Sequence, residues 1–242
     1  MFLLNIFEFI GTVVFAISGT LIAIQKKLDL FGILTLSIVT AVGGGIFRDI
    51  IIGTTPPMAF KNPFFCFISI LTSIITISLY SFISKFTYKK ALQEYEIDIF
   101  DKDYNSENIK HRINFLRKRT AILKKFNAIF DAIGLGIFTA VGSNIAISNK
   151  FSNLFLVICM GSITGIGGGI LRDIFVQDIP IVFKKEIYAI ASILGAFAFW
   201  FLYNHISIIH CLYISAFITF SFRMLSLYFN WNLPKLTIEI LK

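Results

Sequence analysis

Seven stretches of this chain are apolar over a length that would carry a helix through a lipid bilayer. They run from about Leu3 to Ile24, Leu30 to Ile52, Pro63 to Ser84, Phe126 to Ser148, Asn153 to Val176, Ile187 to Tyr203 and Ile206 to Phe229. A helix rises about 1.5 Å per residue, so roughly 20 residues cross the hydrocarbon. The sequence therefore reads as an all-α integral membrane protein with seven transmembrane helices. Composition agrees. Charged residues make up 15% of the 242, against about 25% in a soluble domain, and the deficit lies in these runs. A soluble helical bundle does not need apolar runs of this length.

Basic residues flank the spans, so the net charge of +8 fits the positive-inside rule better than nucleic-acid binding. Eighteen Lys and Arg, with Arg223 counted among the C-terminal charges, fall on the side holding loops 1–2, 3–4, 5–6 and the C-terminus. Two, Lys61 and Lys150, fall on the other. The bias predicts an outside N-terminus and a cytosolic C-terminus. The first apolar run lacks a basic leader and a small-residue cleavage site, so it reads as a retained span. Tyr228 and Trp231 are candidate interfacial anchors. Residues 85–125 form the one long polar stretch, with 11 basic and 6 acidic residues. Its acidic first part, Glu94 to Glu107, reads as irregular or loosely helical. Its second part, Ile109 to Lys125, reads either as a solvated cytosolic linker or as a basic amphipathic helix on anionic lipid.

Two of the spans carry the same unusual motif. Gly43-Gly44-Gly45-Ile46-Phe47-Arg48-Asp49-Ile50 returns as Gly167-Gly168-Gly169-Ile170-Leu171-Arg172-Asp173-Ile174. Around it the halves align further: Phe7-Glu8-Phe9-Ile10-Gly11 with Phe130-Asp131-Ala132-Ile133-Gly134, Gly19 with Gly142, and Pro56 with Pro180. Residues 3–84 and 126–203 are thus two three-helix repeats, and 206–229 adds a seventh helix. Three is odd, so the second repeat enters from the opposite face, an inverted-topology arrangement.

Glycine costs about 1 kcal/mol relative to alanine inside a helix. The triplets therefore admit two readings: close helix packing, or a helix break that frees backbone carbonyls for a permeating solute. Arg48, Asp49, Arg172 and Asp173 each cost roughly 2.5–3.5 kcal/mol near the bilayer centre, so they must be paired or hydrated. Helical neighbours point about 100° apart, which argues against pairing of Arg48 with Asp49. Glu8 and Arg48 sit at similar depth near the outer face, and Asp131 and Arg172 near the inner one. Two symmetry-related ion pairs, Glu8–Arg48 and Asp131–Arg172, are expected, leaving Asp49 and Asp173 to cap or to face a cation.

Phe15-Ala16-Ile17-Ser18-Gly19, Leu30-Phe31-Gly32 and the doubled Gly-Gly-Gly-x-x-Arg-Asp resemble the prokaryotic trimeric intracellular cation (TRIC) channel family. They are equally similar to the bacterial glycine transporter domain membrane proteins of the same superfamily. The resemblance covers all seven spans. It implies a homotrimer in a prokaryotic cell membrane. Each protomer would hold its own path, lined by second and fifth helices broken at Gly43–Gly45 and Gly167–Gly169, with Ser18, Asp49 and Asp173 beside it. It implies either a monovalent cation (K⁺) channel or a secondary transporter for a small zwitterion such as glycine, whose carboxylate would meet half-helix N-termini.

No cofactor or metal site is expected. Cys66, Cys159 and Cys211 are single residues in apolar runs without metal or redox spacing. Gly165-Ile166-Gly167-Gly168-Gly169 lacks the third glycine and the preceding strand of a dinucleotide loop. No nucleophile–base–orienter set is visible, so no enzyme is expected.

Overall fold

The structure, a computed structural model, describes residues 2–99, 106–184, 187–229 and 231, with side chains described over 4–85, 121–184, 187–229 and 231. The described backbone is helical: α1 (Phe2–Gln25), α2 (Leu30–Ile52), α3 (Met58–Lys61), α4 (Phe64–Ile99), α5 (Ser106–Ser148), α6 (Leu154–Phe175), α7 (Ile181–Lys184), α8 (Ile187–Leu202) and α9 (Ile208–Phe229). Six of these, α1, α2, α4, α5, α6 and α9, are long and apolar enough to cross a membrane. The chain is a multi-pass membrane protein. The sixth apolar run, α8, has 16 residues, or about 24 Å of helix.

Local chemistry sets the helix ends. Asp29 accepts the Gly32 N–H at 2.7 Å and starts α2. Asn153 accepts the Phe155 N–H at 2.9 Å and starts α6. Such side chains satisfy donors that a first turn leaves open. Gly53, at φ 82°, closes α2 in the left-handed region that glycine enters without a Cβ penalty. At the matching end of α6 Gln177 takes the same conformation. Neither half simply stops at its prolines. Pro57 and Pro180 each precede a four-residue helix, α3 and α7, before the chain re-enters the apolar layer.

The polar middle of the chain is helical over much of its length. α4 continues past its apolar window to Ile99, and α5 begins at Ser106, so much of 85–125 extends two spans. The residues of 109–120 that would touch lipid have side chains outside the described set.

The packing is pseudo-symmetric. α1 lies against α2, α4 and α5, while α5 lies against α6, α8 and α1; α2 and α6 cross each other, and α9 packs mainly on α5 and α8, with Tyr213 also edge-on to Phe7 of α1. The apolar parts of α1 (Leu4–Gln25) and α5 (Ala121–Ser148) are mostly buried, whereas α4 presents Phe67, Leu71, Leu79 and Phe82 outward. Phe15, Ala16, Ala41, Val42 and Phe138 form one apolar cluster between the halves, and Phe7, Val141, Phe199 and Leu212 belong to another.

The expected helix breaks are absent. α2 runs helically through Gly43–Gly45, and α6 through Gly167–Gly169. The glycines serve close approach instead. A Cβ on Gly44 would fall on the Thr164 carbonyl oxygen, and one on Gly168 on that of Thr40. A Cβ on Gly167 would lie 3.0 Å from Gly44 Cα. The two helices meet backbone to backbone, a geometry that small residues alone permit. The physical reason is simple: a glycine triplet lowers helix stability only modestly, and a neighbouring helix that fits the groove more than offsets it.

Candidate functional site

The Arg-Asp pairs flank the α2–α6 crossing, and each sits in a buried polar cluster. In the first, Arg48 donates from Nε at 3.0 Å and from Nη2 at 2.8 Å to Asp49 Oδ1. Asp49 Oδ2 accepts the Met58 N–H at 2.8 Å. In the second, Arg172 Nε donates to Asp173 Oδ1 at 2.9 Å, and Asp173 Oδ2 accepts the Ile181 N–H at 2.8 Å. The motif thus has a local task in both halves. The arginine holds one carboxylate oxygen, and the other pins the start of the short helix that follows the prolines.

This corrects the expectation that Arg48 cannot turn to Asp49. Cβ vectors about 100° apart do not separate the functional groups when one is a long guanidinium, which can curl round the helix to its neighbour. It also shows Asp49 and Asp173 to be buried with both oxygens engaged.

Beyond that shared core the two clusters differ. Arg172 Nη1 reaches Asp131 Oδ1 at 2.7 Å and Ser18 Oγ at 2.6 Å. Ser18 in turn donates to Asn127 Oδ1 at 2.9 Å. One guanidinium therefore ties α6 to α5 and to α1 of the other repeat. Arg172 and Ser18 are fully buried, and Asp131 is nearly so. Charge-assisted bonds of this kind, shielded from water, are the strong class. In the first cluster Glu8 lies in the field of Arg48 and Asp49 but makes no ion pair with Arg48. Glu8 is partly exposed, whereas Asp131 is 1% exposed.

The second cluster also holds two residues that were not singled out in the sequence. Tyr188, at the start of α8, and Arg223, on α9, are both 2% exposed. The Arg223 guanidinium carbon lies 4.8 Å from the Tyr188 ring centroid, within cation–π range. Arg223 makes no ion pair among the described residues. Its Nε and Nη1, with Arg172 Nη2, Tyr188 OH, Asp131 Oδ2 and Ser226 Oγ, are buried polar atoms without a hydrogen-bond partner among the described residues. Gly169 faces the group: a Cβ there would stand 3.1 Å from Tyr188 OH and 3.7 Å from Asp131 Oδ1. Counting Arg223 with the C-terminal charges concealed it, although its position six residues inside the last apolar run was a visible signal.

The interior around these clusters is rich in hydroxyls that bond within the protein. Thr40 and Thr164 donate to the carbonyls of Leu36 and Met160, each at 2.6 Å, at equivalent places in the two repeats. Ser37 and Thr20 link α2 and α1 to Ser69 and Ser73 of α4. Thr139 and Ser192 share a 2.7 Å bond between α5 and α8. No group of three or more His, Cys, Asp or Glu side chains with metal-binding geometry occurs among the described residues.

Comparison with known proteins matches this architecture. A family model described as glycine transporter fits the chain twice, over residues 5–81 and 128–204, which are the two halves that share the glycine–arginine–aspartate motif. The UPF0126 inner membrane protein YadS of Escherichia coli K12 is 30% identical over 188 residues, covering 78% of this chain and 73% of its own. The UPF0126 membrane protein YvgT of Bacillus subtilis 168 is 29% identical over 227 residues, or 93% of this chain and 92% of its own. Among solved structures, a prokaryotic TRIC channel crystallised in 0.5 M KCl superposes with a TM-score of 0.75 at 31% identity, over 96% of this chain and 100% of its own. A TRIC cation channel from a study of the structural basis of conductance gives 0.73 at 30%, over 98% of both chains. With its two matched units, their paired Arg-Asp clusters and a TRIC-like helical fold, the chain belongs to the glycine transporter (UPF0126) family of membrane proteins.

Proposed function

We propose that the chain is a membrane cation channel, selective for monovalent cations such as K⁺ and assembled as a homotrimer with a path in each protomer. The observation that carries this reading is the near-complete superposition on TRIC cation channels at 30–31% identity. The path follows the α2–α6 crossing, past Ser18 and Gly43–Gly45 on one repeat and Gly167–Gly169 on the other, with one Arg-Asp cluster toward each membrane face. Asp49 and Asp173 shape its two ends by holding α3 and α7 in place. Because the crossing helices touch at Gly44 and Gly168, conduction requires that contact to loosen.

The topology belongs to the same reading: seven spans with α8 as the sixth, two inverted repeats, an outside N-terminus and a cytosolic C-terminus. Lys26, just after α1, pairs with Asp178, just after α6, at 2.7 Å. The ends of the first and fifth spans therefore share a face, as inversion requires. The basic extension of α5, with the mixed-charge extension of α4, then lies on the cytosolic side, where anionic lipid is available.

The test is purified protein in planar bilayers and in liposomes. Unitary K⁺ currents without saturable glycine uptake are expected. The family description favours a second reading, a carrier for glycine or a similar zwitterion. Saturable uptake without unitary current would replace the channel by that carrier.

A further inference from the structure

The two ends of the α2–α6 crossing carry different charge. At the first, Glu8 and Asp49 stand against a single guanidinium, Arg48. At the second, Asp131 and Asp173 stand against two, Arg172 and Arg223. The repeats themselves would give matching ends, since Glu8, Arg48 and Asp49 align with Asp131, Arg172 and Asp173. The difference enters with α9, which has no counterpart in the first half and packs on α5 and α8. Its Arg223 is 2% exposed, stacked on Tyr188 and without an ion-pair partner among the described residues.

We propose that Arg223 sets the direction of easier conduction through the permeation path: it cancels the negative charge of the second-repeat end, so that cations are concentrated at the Glu8 end alone and the channel rectifies. The proposal rests on the channel reading above. A net charge beside a narrow, low-dielectric passage raises the local concentration of counter-ions and their rate of entry. With Glu8 in excess at one end and balance at the other, K⁺ entering from the Glu8 side carries the larger current. The field of Arg223 is weakly screened because the group is buried, whereas half-buried Glu8 is open to screening by salt. Tyr188 keeps the guanidinium in place through its ring face, and Arg223 acts on Asp131 through its field, since its Nε and Nη1 make no hydrogen bond among the described residues.

The experiment is single-channel recording of the full-length protein at low KCl, comparing current at equal positive and negative voltages. Wild type is expected to rectify by about two-fold, and to lose the asymmetry near 1 M salt, where the Debye length falls to about 3 Å. R223Q is expected to raise the smaller current until the two are equal. E8Q is expected to reach equality from the other direction, by lowering the larger current, and it alters only a half-buried residue. R223K keeps the charge and retains the asymmetry. Rectification that survives both R223Q and E8Q overturns the proposal, as does a symmetric wild type at low salt. A wild type with no unitary current removes the channel reading itself, and this inference with it.

Discussion

Arg172 bridges to Asp131 at 2.7 Å with both side chains shut away from solvent. The same guanidinium also holds Asp173 and Ser18, so three helices and both repeats meet on one side chain. Removing one member of a buried pair leaves an uncompensated charge, which costs about 3–5 kcal/mol. D131N should therefore sharply lower the melting temperature of the detergent-solubilised protein. E8Q, at the aligned but half-buried position, should change stability by less than about 1 kcal/mol. Thermal unfolding monitored by size-exclusion chromatography compares the two, and equal loss would contradict the asymmetry described here.

The glycine triplets make a position-by-position prediction. G168A must push a methyl group into the Thr40 carbonyl, and G44A into that of Thr164. Neither backbone oxygen can rotate away, so each should cost about 1–3 kcal/mol as overpacking. At Gly45 the nearest group is Arg48 Nη2 at 3.6 Å, an ordinary contact. G45A should be neutral or stabilising by up to about 1 kcal/mol, because alanine favours the helix. The same unfolding assay ranks the three variants.

Asp49 and Asp173 are expected to act through the segments they hold. D49A removes the acceptor for the Met58 N–H and should loosen the stretch from Pro57 to Lys61. Limited trypsin digestion should then cut faster after Lys61, while the wild-type site stays slow. D173A should give the parallel effect after Lys184, since Ile181 loses its acceptor. Unchanged cleavage in both would show that the prolines alone fix these turns.

The exposed ion pair supplies the contrast. Lys26 and Asp178 meet at 2.7 Å but are 38% and 44% exposed. Solvent screening and the entropy of two flexible side chains reduce such pairs to about 0–1 kcal/mol. K26A should shift the melting temperature little, and the shift should vanish at high salt. The pair is more useful as a ruler. Cysteines at 26 and 178, placed in a background lacking the three native cysteines, should be joined by a short bifunctional maleimide within one protomer. Failure to cross-link would argue against the two helix ends sharing a face.

Much of this protein is set by local rules that a sequence displays. Apolar runs of bilayer length imply spanning helices, and Asp29 and Asn153 mark where two of them start. The repeated Gly-Gly-Gly-x-x-Arg-Asp marks two related halves and, with Phe15–Gly19, the family. What Gly44 and Gly168 do was left open, because a run of glycines is compatible with a broken helix or with a tight crossing. That choice depends on whether another backbone lies in the groove, and it is made by α2 and α6 meeting. The pairing of each Arg with its own neighbouring Asp was likewise hidden, since chain spacing fixes where a Cβ points and not where a long guanidinium ends. Arg223 is the clearest case. Its chemistry depends on Tyr188, 35 positions away, and on Asp131, nearly a hundred away. Only the packing of α9 against α5 and α8 brings those groups together in a medium too dry to ignore a charge.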